Sequence, residues 1–295
     1  KVQVLQYLKT YSPMKKILFL LAVLVITAVS CTKEKTDYEA EIDNVVPEQT
    51  AFKAAAQIDQ QGYSIHIEAL NGTFHKGYNA IRVKIINSQN NEYAKASDVQ
   101  FTPLLTLANG NQVTCPHLST LEYQADDQYF YGYVVFTDES ATNNNWKLNL
   151  NFSVNGSTLN IAHTIVVLSQ PNKNLNMTAF TGKDGEQYII ALIAPQKPKA
   201  AENELIAGIY KLNKLPDPSV SVSLDHPLYS YTEASDYTLY LDPRMPEPSM
   251  GNHSSPNNKD LTQQKDGLYH GIVNYTMTGN WTLNFILRNQ SGRIV

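Results

Sequence analysis

The stretch that decides the fold is WKLNLNFSV, Trp146–Val154, in which apolar and polar residues alternate at every position. Because successive side chains of a β-strand point to opposite faces, this pattern places one set on a core and the other in water. The same alternation occurs in YSIHIEAL at residues 63–70 and in AIRVKIIN at residues 80–87. Asn, Gly, Pro and Ser separate these runs, and no amphipathic helix pattern follows residue 30. The sequence therefore predicts an all-β fold built from antiparallel sheets.

The pattern occurs twice along the chain. YFYGYVVFT at residues 129–137 resembles LYHGIVNYT at residues 268–276, and a tryptophan opens the next strand each time, Trp146 or Trp281. These are the two tryptophans of the chain. A repeat of this length predicts two copies of one domain, each the size of an immunoglobulin-like sandwich. We therefore expect two tandem immunoglobulin-like antiparallel β-sandwich domains, at residues 58–170 and 171–295.

The N-terminal region has the layout of an export signal. In MKKILFLLAVLVITAVSC, residues 14–31, two lysines precede an unbroken apolar run that ends in small residues and Cys31. This layout resembles a bacterial lipoprotein signal, which implies that Cys31 carries the lipid and opens the mature chain. Residues 1–30 are then a start extension plus signal peptide, and residues 31–57 a flexible tether. The resemblance implies a protein of the cell envelope, lipid-anchored outside the cytoplasm and most consistent with the outer membrane, facing either the periplasm or the exterior.

Composition and motifs argue against two classes of function. The formal net charge is −4 and charged residues make up 17% of the chain, whereas nucleic-acid binding needs clustered Lys and Arg. The sequence contains no H-E-x-x-H, no G-x-S-x-G and no phosphate loop. We therefore expect no nucleic-acid partner and no enzymatic activity, and we interpret the chain as a binding module.

A methionine- and histidine-containing loop is the first candidate site. In MPEPSMGNHSSP, residues 245–256, Met245, Met250 and His253 interrupt a strand-forming sequence, and His270 lies on the strand that follows. Thioether sulfur suits Cu(I) and imidazole suits copper in either oxidation state, so these four side chains are a candidate copper site. The alternative interpretation is that the methionines fold back and fill one end of the sandwich, because methionine fits irregular gaps.

This loop also carries a resemblance to known families. A Met/His loop followed by Y-x-G-x-V-x-Y-T and G-x-W-x-L, over residues 235–287, resembles the YtkA-like and FixH-like families of small exported or membrane-anchored immunoglobulin-like domains. The resemblance implies metal handling or respiratory-enzyme assembly. Residues 97–152 share it more weakly, since leucines replace the methionines there and only Cys115 and His117, in TCPH, remain as candidate ligands.

A second function fits the same architecture without a metal. Tyr129, Tyr131 and Tyr133 alternate on one strand. If Phe130 and Val134 face the core, these tyrosines form an outer aromatic strip that could meet a sugar ring or a protein, although the opposite phase fits the sequence equally well. The alternative function is therefore a cell-surface scaffold or a glycan- or protein-binding lipoprotein with no metal site.

Overall fold

The computed structural model describes residues 51–213, 230–246 and 251–295, and within these the fold is almost entirely β-strand. One short 3-10 helix, Lys173–Leu175, joins the two halves. The all-β expectation with antiparallel sandwiches is confirmed, while the predicted boundaries at residues 57/58 and 170/171 stay a prediction. None of the described residues belongs to a helix long and apolar enough to cross a membrane. Cys31 and Met250 lie outside the described residues.

The first half contains eleven strands. They are β1 Phe52–Gln60, β2 Tyr63–Leu70, β3 Phe74–His75, β4 Gly77–Asn87, β5 Ala96–Thr106, β6 Gln112–Val113, β7 Glu122–Gln124, β8 Tyr129–Phe136, β9 Asn145–Val154, β10 Ser157–Ile165 and β11 Val167–Leu168. The first strand begins at Phe52, so the sheet extends into the segment expected to be tether.

Two sheets enclose the first core. One has the order β1-β2-β4-β8-β7 and the other the order β10-β9-β5-β6, while β3 and β11 form a short parallel pair. The alternating apolar residues of Trp146–Val154 face inward, and Trp146 is fully buried. Asn155 and Gly156 both have positive φ, which suits the tight turn that leads from β9 into β10.

The described residues of the second half form eight strands. They are β12 Met177–Thr181, β13 Gln187–Ala194, β14 Glu202–Asn213, β15 Ser230–Glu233, β16 Thr238–Arg244, β17 Lys259–Gln263, β18 Tyr269–Asn274 and β19 Thr282–Arg288.

The strand order of the second half reproduces that of the first. Its sheet runs β12-β13-β14-β18-β17-β16-β19, with β15 beside β14. The first five of these match β1-β2-β4-β8-β7, and the pair β16–β19 matches β5–β9. The difference is that β17 pairs with both β18 and β16, so the two layers join into one sheet that curls around its core.

The two tryptophans occupy matching environments. Trp146 packs edge-on against Phe136 at 4.9 Å between ring centroids, and Trp281 packs against Tyr275 at 5.5 Å. Each indole N–H donates to a carbonyl of the loop before it, that of Asp138 for Trp146 and that of Met277 for Trp281. These matching contacts support the repeat inferred from the sequence.

One strand of the first half, β10, has only a short counterpart among the described residues. β10 pairs with β9 along its whole length, whereas β19 leads into a turn closed by a bond from the Gly292 N–H to the Asn289 carbonyl. A single bridge between Arg288 and Ile294 follows. Residues 293–295 therefore run beside the end of β19 as the first residues of β10 run beside the end of β9.

Candidate functional site

An apolar groove lies between β12 and β19, and Ile294 and Val295 belong to its lining. Its volume is about 730 Å³, within the range of about 300–1,000 Å³ that is usual for ligand sites. β12 and β19 are the two ends of the curled sheet, so the groove is the seam at which the sheet does not close. Apolar and aromatic side chains dominate its lining, among them Phe180, Ile190, Leu192, Leu205, Tyr275, Trp281, Leu283, Phe285 and Ile286.

Two side chains of this lining are more exposed than the corresponding side chains of the first half. On β9, Leu148 is 1% exposed and Leu150 is 2% exposed, because β10 covers that end of the core. On β19, the matching residues Leu283 and Phe285 pack against the second core but remain partly exposed. Contiguous inward-facing apolar residues that stay in contact with water indicate a binding surface.

The groove contains few charged or polar side chains. Lys173, at its rim, is the charged residue among the residues that line it. Asn174 and Asn176 add neutral polar groups beside it. Burial raises the pKa of Tyr275 to about 12, so its phenol stays protonated. The groove can therefore bind a largely apolar ligand that carries a few hydrogen-bonding groups.

Comparisons with known proteins leave the function open. No protein-family model and no curated protein matches the chain. A DUF4785 family protein from Legionella pneumophila matches 80% of this chain and 56% of its own length, at 9% identity and a TM-score of 0.26. A conserved domain protein from Bacillus anthracis matches 81% of this chain and 80% of its own length, at 12% identity and a TM-score of 0.26. Such TM-scores carry no argument, and the resemblance to the YtkA-like and FixH-like families stays a prediction.

The Met/His loop is closed at its base by backbone contacts. The Met245 N–H donates to the His253 carbonyl at 2.8 Å, and Arg244 forms a bridge with Ser254. The side chain of Met245 is 3% exposed, and its methyl group packs so closely on Gly279 that a Cβ there would lie 2.6 Å away. His253 is exposed. The buried position of Met245 is the one expected for a methionine that fills the end of the sandwich.

His270 lies away from this loop and has partners of its own. The loop reaches β18 at Asn274, whose carbonyl accepts a hydrogen bond from Ser255. His270 is four residues earlier, about 13 Å along the strand. Its Nδ1 lies 3.0 Å from Glu204 and its Nε2 lies 2.9 Å from Asp266. Partial burial lowers the pKa of His270, but the hydrogen bonds and charges of these carboxylates outweigh it, so the pKa lies above its usual value.

Cys115 belongs to the core of the first half, and His117 is half-buried beside it. Cys115 is fully buried, and burial raises the pKa of its thiol well above the usual value. His117 donates from Nδ1 to the Cys115 carbonyl at 2.6 Å and packs edge-on against Phe101. Burial lowers the pKa of His117, and the bond to that carbonyl opposes the shift. A neutral buried thiol is a poor starting point for a metal site. Across the described residues, no three His, Cys, Asp or Glu side chains form a group that could hold a metal ion.

The tyrosines of β8 face away from the first core, and the second half packs on one of them, Tyr133. Phe130 and Val134 belong to the core, which settles the phase of the strand. Tyr133 lies 5.7 Å, between ring centroids, from Tyr210 on β14, and its phenol donates to Glu233 at 2.5 Å. Tyr133 therefore joins the two halves of the chain, while the ring of Tyr129 is buried and lies 4.4 Å from the Arg82 guanidinium.

The residues of the groove were missed by reasoning from the sequence. Trp281, Leu283 and Phe285 read as ordinary inward-facing positions of a strand, which they are. No sequence signal marked them, because alternation states which side chains face inward and not how far other strands cover them.

Proposed function

We propose that the protein is a non-enzymatic binding module of the bacterial cell envelope, held to a membrane through lipid on Cys31, which captures its ligand in the groove between β12 and β19. The observation that carries this proposal is the partly exposed apolar lining of that groove, which includes Trp281 and Phe285. The signal-like sequence before Cys31 supports the anchor and the extracytoplasmic location.

The absence of enzymatic activity is part of the proposal. The Ser64 hydroxyl lies 3.1 Å from Nε2 of His66, which is the distance of a nucleophile–base pair. Both residues lie two positions apart on one face of β2, however, and no carboxylate of the described residues is hydrogen-bonded to the His66 ring. Neither residue lines the groove. Their pairing is the ordinary contact between neighbours on a sheet face.

An apolar fluorescent dye tests the proposed site. We expect the full-length chain, purified in mild detergent, to bind the dye and to transfer energy to it from Trp281. Phe285→Lys places a charge inside the groove and should remove binding. Asn284→Lys is the matched control, because Asn284 is exposed on the opposite face of the same strand and should leave binding intact. Equal binding by both variants would show that the dye binds elsewhere and would contradict the proposal.

Copper binding by the Met/His loop is a second candidate. The observation in its favour is the closed base of the loop, where Met245 and His253 share a backbone hydrogen bond. A Cu(I) titration against a competing chelator tests it, with a Met245→Leu, Met250→Leu, His253→Ala variant for comparison. The copper hypothesis requires tight one-to-one binding that the variant loses. Binding no tighter than that of the variant would remove copper and leave the groove as the proposed site.

A further inference from the structure

We propose that Arg82, on the outer face of the first half, binds the carboxylate group of a small acidic ligand. The site lies on the sheet β1-β2-β4-β8-β7 and shares no residue with the groove of the second half. It therefore goes beyond the proposed function, and an experiment on one site leaves the other untouched.

Two aromatic rings hold the Arg82 side chain in place. Arg82 lies on β4 between Ile81 and Val83, which are fully buried, so its side chain points to the outer face of the sheet. Its guanidinium carbon lies 4.0 Å from the centroid of the Phe52 ring, on β1, and 4.4 Å from that of the Tyr129 ring, on β8. Such cation–π contacts order the side chain before a ligand arrives, which lowers the entropic cost of binding.

Arg82 has no carboxylate partner among the described residues, whose ion pairs all involve other cations. The residue opposite Arg82 on β2 is Glu68. The Glu68 carboxylate instead accepts a hydrogen bond from Lys84 at 2.7 Å. A partly buried charge without a partner is costly, so an added anion would stabilise this arginine.

The outer edge of the guanidinium is the part that a ligand can reach. Arg82 is half-buried as a residue, and its Nε is buried and has no hydrogen-bond partner within the described part of the chain. With Nε buried and two rings packed on the guanidinium, Nη1 and Nη2 remain for a ligand. Their N–H groups form a planar fork that matches the two oxygens of a carboxylate.

The surrounding charges favour an anion with a single charge. Glu68 neutralises Lys84, so that pair adds little attraction. Tyr131 lies opposite Arg82 on β8, and Glu122 lies opposite Tyr131 on β7. A phosphate monoester carries about 1.5–2 negative charges and is repelled more strongly by such carboxylates than a carboxylate ligand is. The site therefore favours carboxylate over phosphate.

Arginine side-chain NMR on the full-length chain in mild detergent tests the site. Glucuronate is the probe, and glucuronamide, in which an amide replaces the carboxylate, is its neutral control. We expect glucuronate to shift the Nε–H signal of Arg82 saturably and to bind on the order of tenfold more tightly than glucuronamide. Arg244, which already pairs with Asp242 at 2.9 Å, is the internal control, and its signal should not move. Equal binding of the two probes would overturn the inference.

Substitutions separate the charge of Arg82 from its planar fork. Arg82→Gln should remove glucuronate binding, and Arg82→Lys, which keeps only the charge, should weaken it on the order of tenfold. Arg288→Gln is the matched control and should leave binding unchanged. Arg288 also lies over a ring, that of Tyr240 at 4.8 Å, but its Nη1 donates to the Gly292 carbonyl. Full binding by Arg82→Gln, or loss of binding in Arg288→Gln with its circular dichroism unchanged, would overturn the inference.

Other anions test the ligand class. At equal ionic strength, phosphate should bind more weakly than glucuronate, and chloride should cause no saturable shift. A chloride effect equal to that of glucuronate would show charge screening only and would overturn the inference, as would tighter binding of phosphate. N-acetylglutamate carries its carboxylate on an amino acid rather than on a sugar, so the tighter of the two carboxylates identifies the source of the ligand.

Discussion

Replacing Leu148 and Leu283 by alanine, one at a time, distinguishes a closed core from an open groove. They occupy corresponding positions, each two residues after a tryptophan, but Leu148 is 1% exposed whereas Leu283 is partly exposed at the groove. Leu148→Ala leaves an enclosed cavity, and such changes cost about 3–5 kcal/mol of unfolding free energy. Leu283→Ala widens a groove that water already enters, so only lost burial counts, about 1–2 kcal/mol.

Urea denaturation measures both values, with one tryptophan in each half to report its unfolding. Leu287→Ala is the control, since Leu287 lies on the same strand as Leu283 but is buried, and it should cost as much as Leu148→Ala. If Leu283→Ala also costs about 3 kcal/mol or more, the groove is closed in solution and the reasoning is refuted.

Two further changes test contacts elsewhere in the structure. The pKa of His270 is raised in the folded state, so its ion pairs stabilise the protein fully below the unfolded pKa, and this stabilisation is lost as pH rises through the folded pKa. Glu204→Gln should therefore lower the pKa of His270 in an NMR titration. An unchanged pKa would contradict the contact between His270 and Glu204. Gly208→Ala would place a Cβ 2.3 Å from the Tyr210 hydroxyl. We expect this variant to displace the Tyr210 ring and to lower the free energy of unfolding, measured by urea denaturation, by about 1–3 kcal/mol. An unchanged free energy of unfolding would show that Tyr210 does not lie over Gly208.

The strands could be predicted from the sequence wherever one face of a strand packs on a core and the other faces water. The alternation in WKLNLNFSV predicted β9 to within one residue of its observed bounds, Asn145–Val154. β1 was missed because its exposure does not alternate strictly: it carries a register shift between Ala54 and Ala56 and lies at the edge of its sheet. Edge strands bury less of either face, so their sequences carry a weaker signal.

The groove could not be predicted in the same way. The pattern of WTLNFIL states which side chains of β19 face inward, but it does not state how far β12, a distant segment of the chain, covers them. The same limit applies to Met245. Its residue type fits both a soft-metal ligand and a core residue, and only the direction of the side chain, onto Gly279, favours the second.

Acrylamide quenching of the two tryptophans, observed separately, tests the open groove most directly. Trp146 is fully buried and Trp281 is partly exposed beside the groove. The variants Trp146→Phe and Trp281→Phe each leave one emitter. The account predicts that Trp281 is quenched several-fold more strongly than Trp146 and becomes shielded when a ligand occupies the groove. Equally weak quenching of both tryptophans in the free protein would contradict it.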